Sequence, residues 1–154
     1  MATLQIGDKA PDFKGIDQNG KAVTLADFAG KRLILYFYPK DSTPGCTDEA
    51  CSLRDGWGEL RAQGFEVLGV SADSEASHVK FIEKHSLPFN LIADTEKSIL
   101  EAYNAWGEKS LYGKKYMGII RKTYVIGASG IIENIFEKVK VKSHAQQILD
   151  AYKK

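Results

Sequence analysis

The chain has 154 residues, of which 44% are apolar and 27% charged, and its net charge is +1. That length suits one domain, residues 1–154, with a buried core, and the charge balance implies no nucleic acid or other polyanion as partner. No apolar run approaches the ~20 residues of a membrane span, so no membrane partner is expected either.

Residues 13–16 and 21–25 flank Asp17-Gln18-Asn19-Gly20, which reads as a hairpin with an Asn-Gly turn. A polar break follows. Leu33-Ile34-Leu35-Tyr36-Phe37-Tyr38 is almost wholly apolar, as a strand buried on both faces should be. It stops at Pro39. A helix is expected from Thr43 or Pro44 to about Gln63 at most, weakened near Gly56 and Gly58. Residues 65–71 read as a second central strand, 74–85 as a helix, and 87–94 hold a short strand that begins after Pro88. Thr95 is a candidate cap for a helix through Tyr103. Residues 104–118, rich in Gly and Lys, read as irregular. Residues 119–126 and 131–136 flank Gly127-Ala128-Ser129-Gly130 as a second hairpin. Ser143 is a candidate cap for a last helix. Ala145, Ile148, Leu149 and Tyr152 give that helix one apolar stripe. Alternating strands and helices, then a hairpin and a helix, indicate a mixed α/β fold.

The two cysteines are the most informative residues. They are five positions apart in Pro39-Lys40-Asp41-Ser42-Thr43-Pro44-Gly45-Cys46-Thr47-Asp48-Glu49-Ala50-Cys51. Thr43 suits an N-cap and Pro44 the first helical position, which puts Cys46 third. The free N–H groups and the helix dipole there favour an anion, so the thiolate, the reactive form, is favoured. On an ideal helix, residues five apart have Cα atoms ~8.7 Å from each other, beyond the ~7 Å limit for a disulfide. A bridge therefore requires the helix to unwind. The plain alternative is two buried cysteines acting as small hydrophobes.

A zinc site is not expected, because His78, His85 and His144 lie far downstream at spacings that match no structural zinc motif. Nothing calls for a cofactor or metal. The first residues lack the apolar stretch of a secretory signal. In a reducing compartment two cysteines are redox-active or inert rather than stapling, so a cytoplasmic protein is expected. Lys109, Lys114, Lys115, Arg121 and Lys122 read as a solvated basic surface.

The run Thr43-Pro44-Gly45-Cys46-Thr47-x-Glu49-Ala50-Cys51 resembles the active-site motif of peroxiredoxins, and its spacing is similar to the peroxiredoxin Q, or bacterioferritin comigratory protein, group. Gly7-Asp8-x-Ala10-Pro11-Asp12-Phe13 and Trp106-Gly107-Glu108-Lys109-Ser110 carry the same resemblance. It implies a thioredoxin-like fold with a mixed central sheet, an N-terminal hairpin and flanking helices. It also implies a peroxidase acting on hydrogen peroxide or organic hydroperoxides. In that reading Cys46 is oxidised to a sulfenic acid, Cys51 resolves it as an intrachain disulfide, and a thioredoxin-like dithiol protein restores both thiols. A monomer suffices, with a dimer left open. Thr43 would orient thiolate and peroxide through its hydroxyl, besides being a helix cap. Arg121 would hold the thiolate and the developing charge; the plain reading is a surface arginine. Pro39 would shield the pocket; it could equally just end a strand. Glu49 could bond loop N–H groups or Arg121, or be an exposed helix residue. Tyr36, Tyr38 and Trp57 read as core or pocket wall, and His85 as a surface or helix-end histidine rather than a proton donor. A thiol-disulfide oxidoreductase and a non-enzymatic redox sensor or chaperone are the competing functions. One departure is visible: where the family usually carries an Asp after the strand ending at Ile126, this chain has Gly127-Ala128-Ser129-Gly130.

Overall fold

The computed structural model describes residues 3–152. β1 (Lys14–Ile16) and β2 (Ala22–Thr24) form the expected antiparallel hairpin, turning at Gly20 with φ 77°. A 3-10 turn at Leu25–Phe28 leads into β3 (Arg32–Phe37). Next come α1 (Pro44–Asp55), α2 (Trp57–Ala62), β4 (Phe65–Ser71), α3 (Glu75–His85), β5 (Asn90–Ala93) and α4 (Ser98–Ala102). The chain then runs through β6 (Trp106–Leu111), β7 (Lys114–Ile119), β8 (Lys122–Ile126), β9 (Ile132–Phe136) and α5 (His144–Ala151). The main sheet has the order β5-β4-β3-β8-β9. β3, β4 and β5 are parallel, whereas β8 and β9 are antiparallel to their neighbours.

The period-2 alternation of side chains along β3 divides the core. Leu33, Leu35 and Phe37 join Leu68, Val70, Tyr103 and Tyr124 on one face. Ile34, Tyr36 and Tyr38 join Cys46, Ala50, Leu53, Leu60, Phe81 and Leu149 on the other. The second face is the one that α1, α2, α3 and α5 cover. Cys46 is thereby set above the carboxyl end of the central strand, where open α/β sheets usually bind ligands.

Four expectations need correction. The single helix to Gln63 is two helices that break at Gly56. A Cβ there would lie 2.6 Å from Cβ of Ala145, so the glycine lets α5 approach. Thr95 does not cap α4. The carboxylate of Asp94 does, accepting from the N–H of Leu100 at 2.8 Å, while Lys97 adopts φ 66°. Residues 104–118 are not irregular. β6 and β7 pair in register around Tyr112 and Gly113, which have φ 51° and 79°, the left-handed pair of a two-residue hairpin turn. The last hairpin's first strand is also shorter than expected, starting at Lys122. Its turn, which lacks the usual Asp, closes by a bond from the N–H of Gly130 to the carbonyl of Gly127 at 2.9 Å. Neighbouring backbone also holds it: Ala10 N–H donates to the Gly130 carbonyl and Gly30 N–H to the Ala128 carbonyl.

Candidate active site

Thr43 occupies the N-cap position of α1 with extended backbone, φ −85° and ψ 152°, and Pro44 follows as the first helical residue. The Thr43 carbonyl accepts from Thr47 N–H at 2.8 Å. Its hydroxyl does not cap the helix. It turns back and donates to the carbonyl of Lys40 at 2.8 Å, bracing the loop instead. The N–H groups of Gly45 and Cys46 thus remain first-turn donors outside the helix ladder. Cys46, third in the helix, is 1% exposed. Pro39 sits half-buried just beyond the end of β3.

Arg121 precedes β8 and reaches over to α1. Its Nη2 donates to Sγ of Cys46 at 3.2 Å and its Nη1 to Oε1 of Glu49 at 2.5 Å. One planar guanidinium therefore spans the thiol and a buried carboxylate, a fork geometry that lysine lacks. Burial lowers the pKa of Arg121, but Glu49 and then Cys46 more than restore it, so it is raised and the side chain stays cationic. The basic surface expected from the sequence therefore includes two residues that face inward: Arg121 toward the site, and the buried Lys122 toward the ring of Tyr124.

Glu49 is not the exposed helix residue it could have been; it is fully buried. Burial pushes its carboxyl up to about 7 against the pull of Arg121. Its other oxygen, Oε2, has no hydrogen-bond partner among the described residues and lies 3.7 Å from Nε2 of His144. His144 is also buried, and burial lowers it to about 4. The neutral ring is held at both nitrogens, by Thr123 Oγ1 and Gln147 Oε1, each at 2.9 Å. With Nδ1–H donating to the Gln147 oxygen, Nε2 accepts from the Thr123 hydroxyl and has no proton to offer Glu49. Sequence reasoning missed His144. It lies 95 positions from Glu49 and only the packing of α5 on α1 joins them. The Tyr36 hydroxyl, fully buried behind Cys46, also lacks a partner among the described residues. Burial and then Glu49 raise its pKa well above 10, so it stays protonated as pocket wall.

Cys51 stands apart from this group. It is half-buried on the intact helix, with Sγ 3.8 Å from Nδ1 of His85, and both cysteines are free thiols.

Comparison with known proteins matches residues 6–135 to the AhpC/TSA family. Peroxiredoxin Bcp of Bacillus subtilis (strain 168) is 46% identical over 151 residues, 98% of this chain and 96% of that protein. The chain belongs to the peroxiredoxin family. This peroxiredoxin superposes on a cysteine-to-serine variant of PrxQ from Xylella fastidiosa with a TM-score of 0.91 at 31% identity, covering 99% of this chain and 97% of that one. It superposes on the bacterioferritin comigratory protein of Xanthomonas campestris, a structure concerned with alkyl peroxide reduction, with a TM-score of 0.87 at 36% identity. Coverage there is 98% of this chain and 96% of that one. The fold is thus thioredoxin-like and the enzyme class is that of thiol-dependent peroxidases.

A second buried polar group braces the loop of this peroxiredoxin before Cys46. Asp41 accepts from the Tyr38 hydroxyl at 2.6 Å and the Ser77 hydroxyl at 2.8 Å, and its Oδ2 lies 2.7 Å from Nδ1 of His78. Nε2 of His78 faces the Ile92 carbonyl at 3.0 Å. The N–H of Asp41 donates to Asp73, which also accepts from Ser71. Asp41, Asp73 and His78 bring three potential metal ligands together, but each is already bonded within the protein. The group works as a clamp that ties residues 38–41 to β4 and α3. No periodic pattern marks it along the chain, since its members come from four separate segments.

Proposed function

We propose that this peroxiredoxin reduces hydrogen peroxide and organic hydroperoxides through Cys46, with Cys51 closing the catalytic cycle. The observation that carries this reading is the Arg121 guanidinium 3.2 Å from a buried cysteine sulfur at a helix N-terminus. The Cys46 thiolate attacks one peroxide oxygen. An S–O bond forms as the O–O bond breaks, giving a sulfenic acid and water or an alcohol. Arg121 and the first-turn N–H groups stabilise the charge moving onto the leaving oxygen. Thr43 and Pro39 shape the approach, and the Thr43 hydroxyl retains lone pairs for an incoming O–H while bonded to Lys40. Cys51 then forms an intrachain disulfide with Cys46 and releases water. A thioredoxin-like dithiol reduces it by exchange. The whole chain works as one domain, in the cytoplasm, as a monomer without a resident cofactor and without nucleic-acid or membrane partners.

The test compares Cys46→Ser and Cys51→Ser with the parent protein. Cys46→Ser should consume no peroxide. Cys51→Ser should complete one turnover, hold a trappable sulfenic acid and fail to recycle with thioredoxin. Undiminished thioredoxin-linked turnover by Cys51→Ser would refute the resolving role, and residual peroxidase activity in Cys46→Ser would refute the assignment of the nucleophile.

A further inference from the structure

Among the described residues, the ring nitrogen within reach of the Cys51 sulfur belongs to His85, at 3.8 Å. That is bonding distance for an S–H donor to an imidazole lone pair. His85 is the last residue of α3, where the helix dipole favours positive charge. Its ring stands edge-on to Phe81, centroids 5.2 Å apart, which fixes the side of the ring that meets Cys51.

The corner is built to stay together while the rest of α1 opens. Arg54 Nη1 donates to the carbonyl of His85 at 2.8 Å, tying the end of α1 to the end of α3. Leu53 is fully buried, and Ser52 Oγ accepts from Ala145 N–H at 3.1 Å. Residues 52–55 are therefore anchored on two sides, whereas residues 44–50 must unwind for Cys46 to reach Cys51. Unwinding that half carries the oxidised sulfur toward a Cys51 still seated on His85. Among the described residues, the ionisable groups bonded at this corner are Arg54 and its partner Asp55 from α1, with the His85 ring from α3 beside Cys51. Arg54 feels Cys51 directly: its pKa is raised first by the bond to Asp55 and also by the Cys51 sulfur.

We propose that His85 is the general base of the resolving step, an assignment that rests on Cys51 being the resolving thiol. The thiolate is the attacking form of a cysteine, and Cys51 sits inside α1, away from the N–H groups of its first turn. With its own proton on Nε2, His85 takes the Cys51 proton at Nδ1. The thiolate attacks the Cys46 sulfenic sulfur; the S–S bond forms as the S–O bond breaks. The oxygen leaves as hydroxide and takes a proton from the imidazolium through solvent, giving water. Cys51 sulfur is oxidised as Cys46 sulfur is reduced from the sulfenic to the disulfide level, so no outside reagent is needed. In the reductive half-cycle His85, reprotonated from solvent, donates a proton to Cys51 as that sulfur leaves the disulfide.

The test uses the full-length reduced protein and one equivalent of hydrogen peroxide, with rapid quenching that separates sulfenic acid from disulfide by mass. In His85→Gln, sulfenic acid should form at the parent rate, while disulfide formation at neutral pH should slow about 10²-fold, the usual scale of a lost general base. Added imidazole should restore much of the rate, and the gap should close at alkaline pH, where hydroxide ionises Cys51 without help. Sulfenic acid should accumulate and overoxidise in excess peroxide. His85→Asn provides a second variant should the first fold poorly. Disulfide formation at the parent rate in the variants would overturn the proposal. So would a slowing that neither imidazole nor alkali relieves, because that marks a structural role. A parent protein that forms no intrachain disulfide at all would instead remove Cys51 as resolving thiol, and the role of His85 with it.

Discussion

Arg121 holds the site through two separate nitrogens, and that is why its identity matters more than its charge. Nη2 serves the sulfur and Nη1 serves Glu49. An ammonium can satisfy one of these partners but not both at this separation. Arg121→Lys should therefore lower the rate of Cys46 oxidation by peroxide roughly 10²-fold, the scale seen when one preorganised donor is removed. Stopped-flow oxidation of the reduced protein measures it, and a rate within a factor of three of the parent would show that charge alone suffices. Gly45 is part of the same arrangement. A Cβ there would stand 3.3 Å from Nη2 of Arg121, so the glycine leaves the guanidinium its path to the sulfur.

At the scale of elements, α1 is one continuous helix from Pro44 to Asp55 whose two halves are held differently. The first half rests on Arg121 and the braced loop, and the second half on α3 and α5. Forming the disulfide should unravel the first half only. Amide hydrogen exchange should rise at residues 46–50 of the oxidised protein, while Leu53, Arg54 and Asp55 keep their protection. Equal loss of protection along the whole helix would show that α1 moves as a unit. The joint between α1 and α5 can be tested independently. Gly56→Ala puts a methyl group 2.6 Å from Ala145. It should cost about 1–3 kcal/mol, the range for overpacking. A urea titration should show this as a lower midpoint, while Cys46 oxidation, which takes place at the other end of the helix, keeps its rate.

For the whole molecule, two buried groups shared by α1 and α5 set opposing pH dependences. His144 is lowered from 6.5 to about 4. The unfolded chain binds its proton first, so stability falls as pH drops from about 6.5 through 4. Glu49 is raised from 4.5 to about 7. The folded chain binds its proton first, so this group's contribution is full below 4.5 and is lost as pH rises through 7. Between 4.5 and 6.5 the two trends oppose each other. Glu49→Gln removes one of them, so its Tm should fall more steeply than the parent's on acidification from pH 6.5 to 4.5. Parallel Tm curves for the two proteins would show that Glu49 does not titrate in this range.

Strand β3, the start of α1, the first hairpin and the position of Cys46 were legible in the sequence, because each rests on local rules: apolar run, cap position, Asn-Gly turn, helix arithmetic. The misfit between the two cysteines on a helix was legible for the same reason, and the intact α1 with two free thiols agrees with it. The β6–β7 hairpin was not, since its turn is Tyr112-Gly113 and its strands carry charges where an alternating pattern was sought. The cap of α4 was misassigned because Asp94 and Thr95 are both good caps, and backbone path alone chose between them. What only the tertiary structure decided were the meetings of distant segments. Arg121 reaches Cys46 and Glu49 across 75 and 72 positions, His144 comes against Glu49, and His85 against Cys51. Side-chain chemistry is local to a residue, but the ionisation and reach of these groups depend on which neighbours exclude water around them, and packing supplies those neighbours.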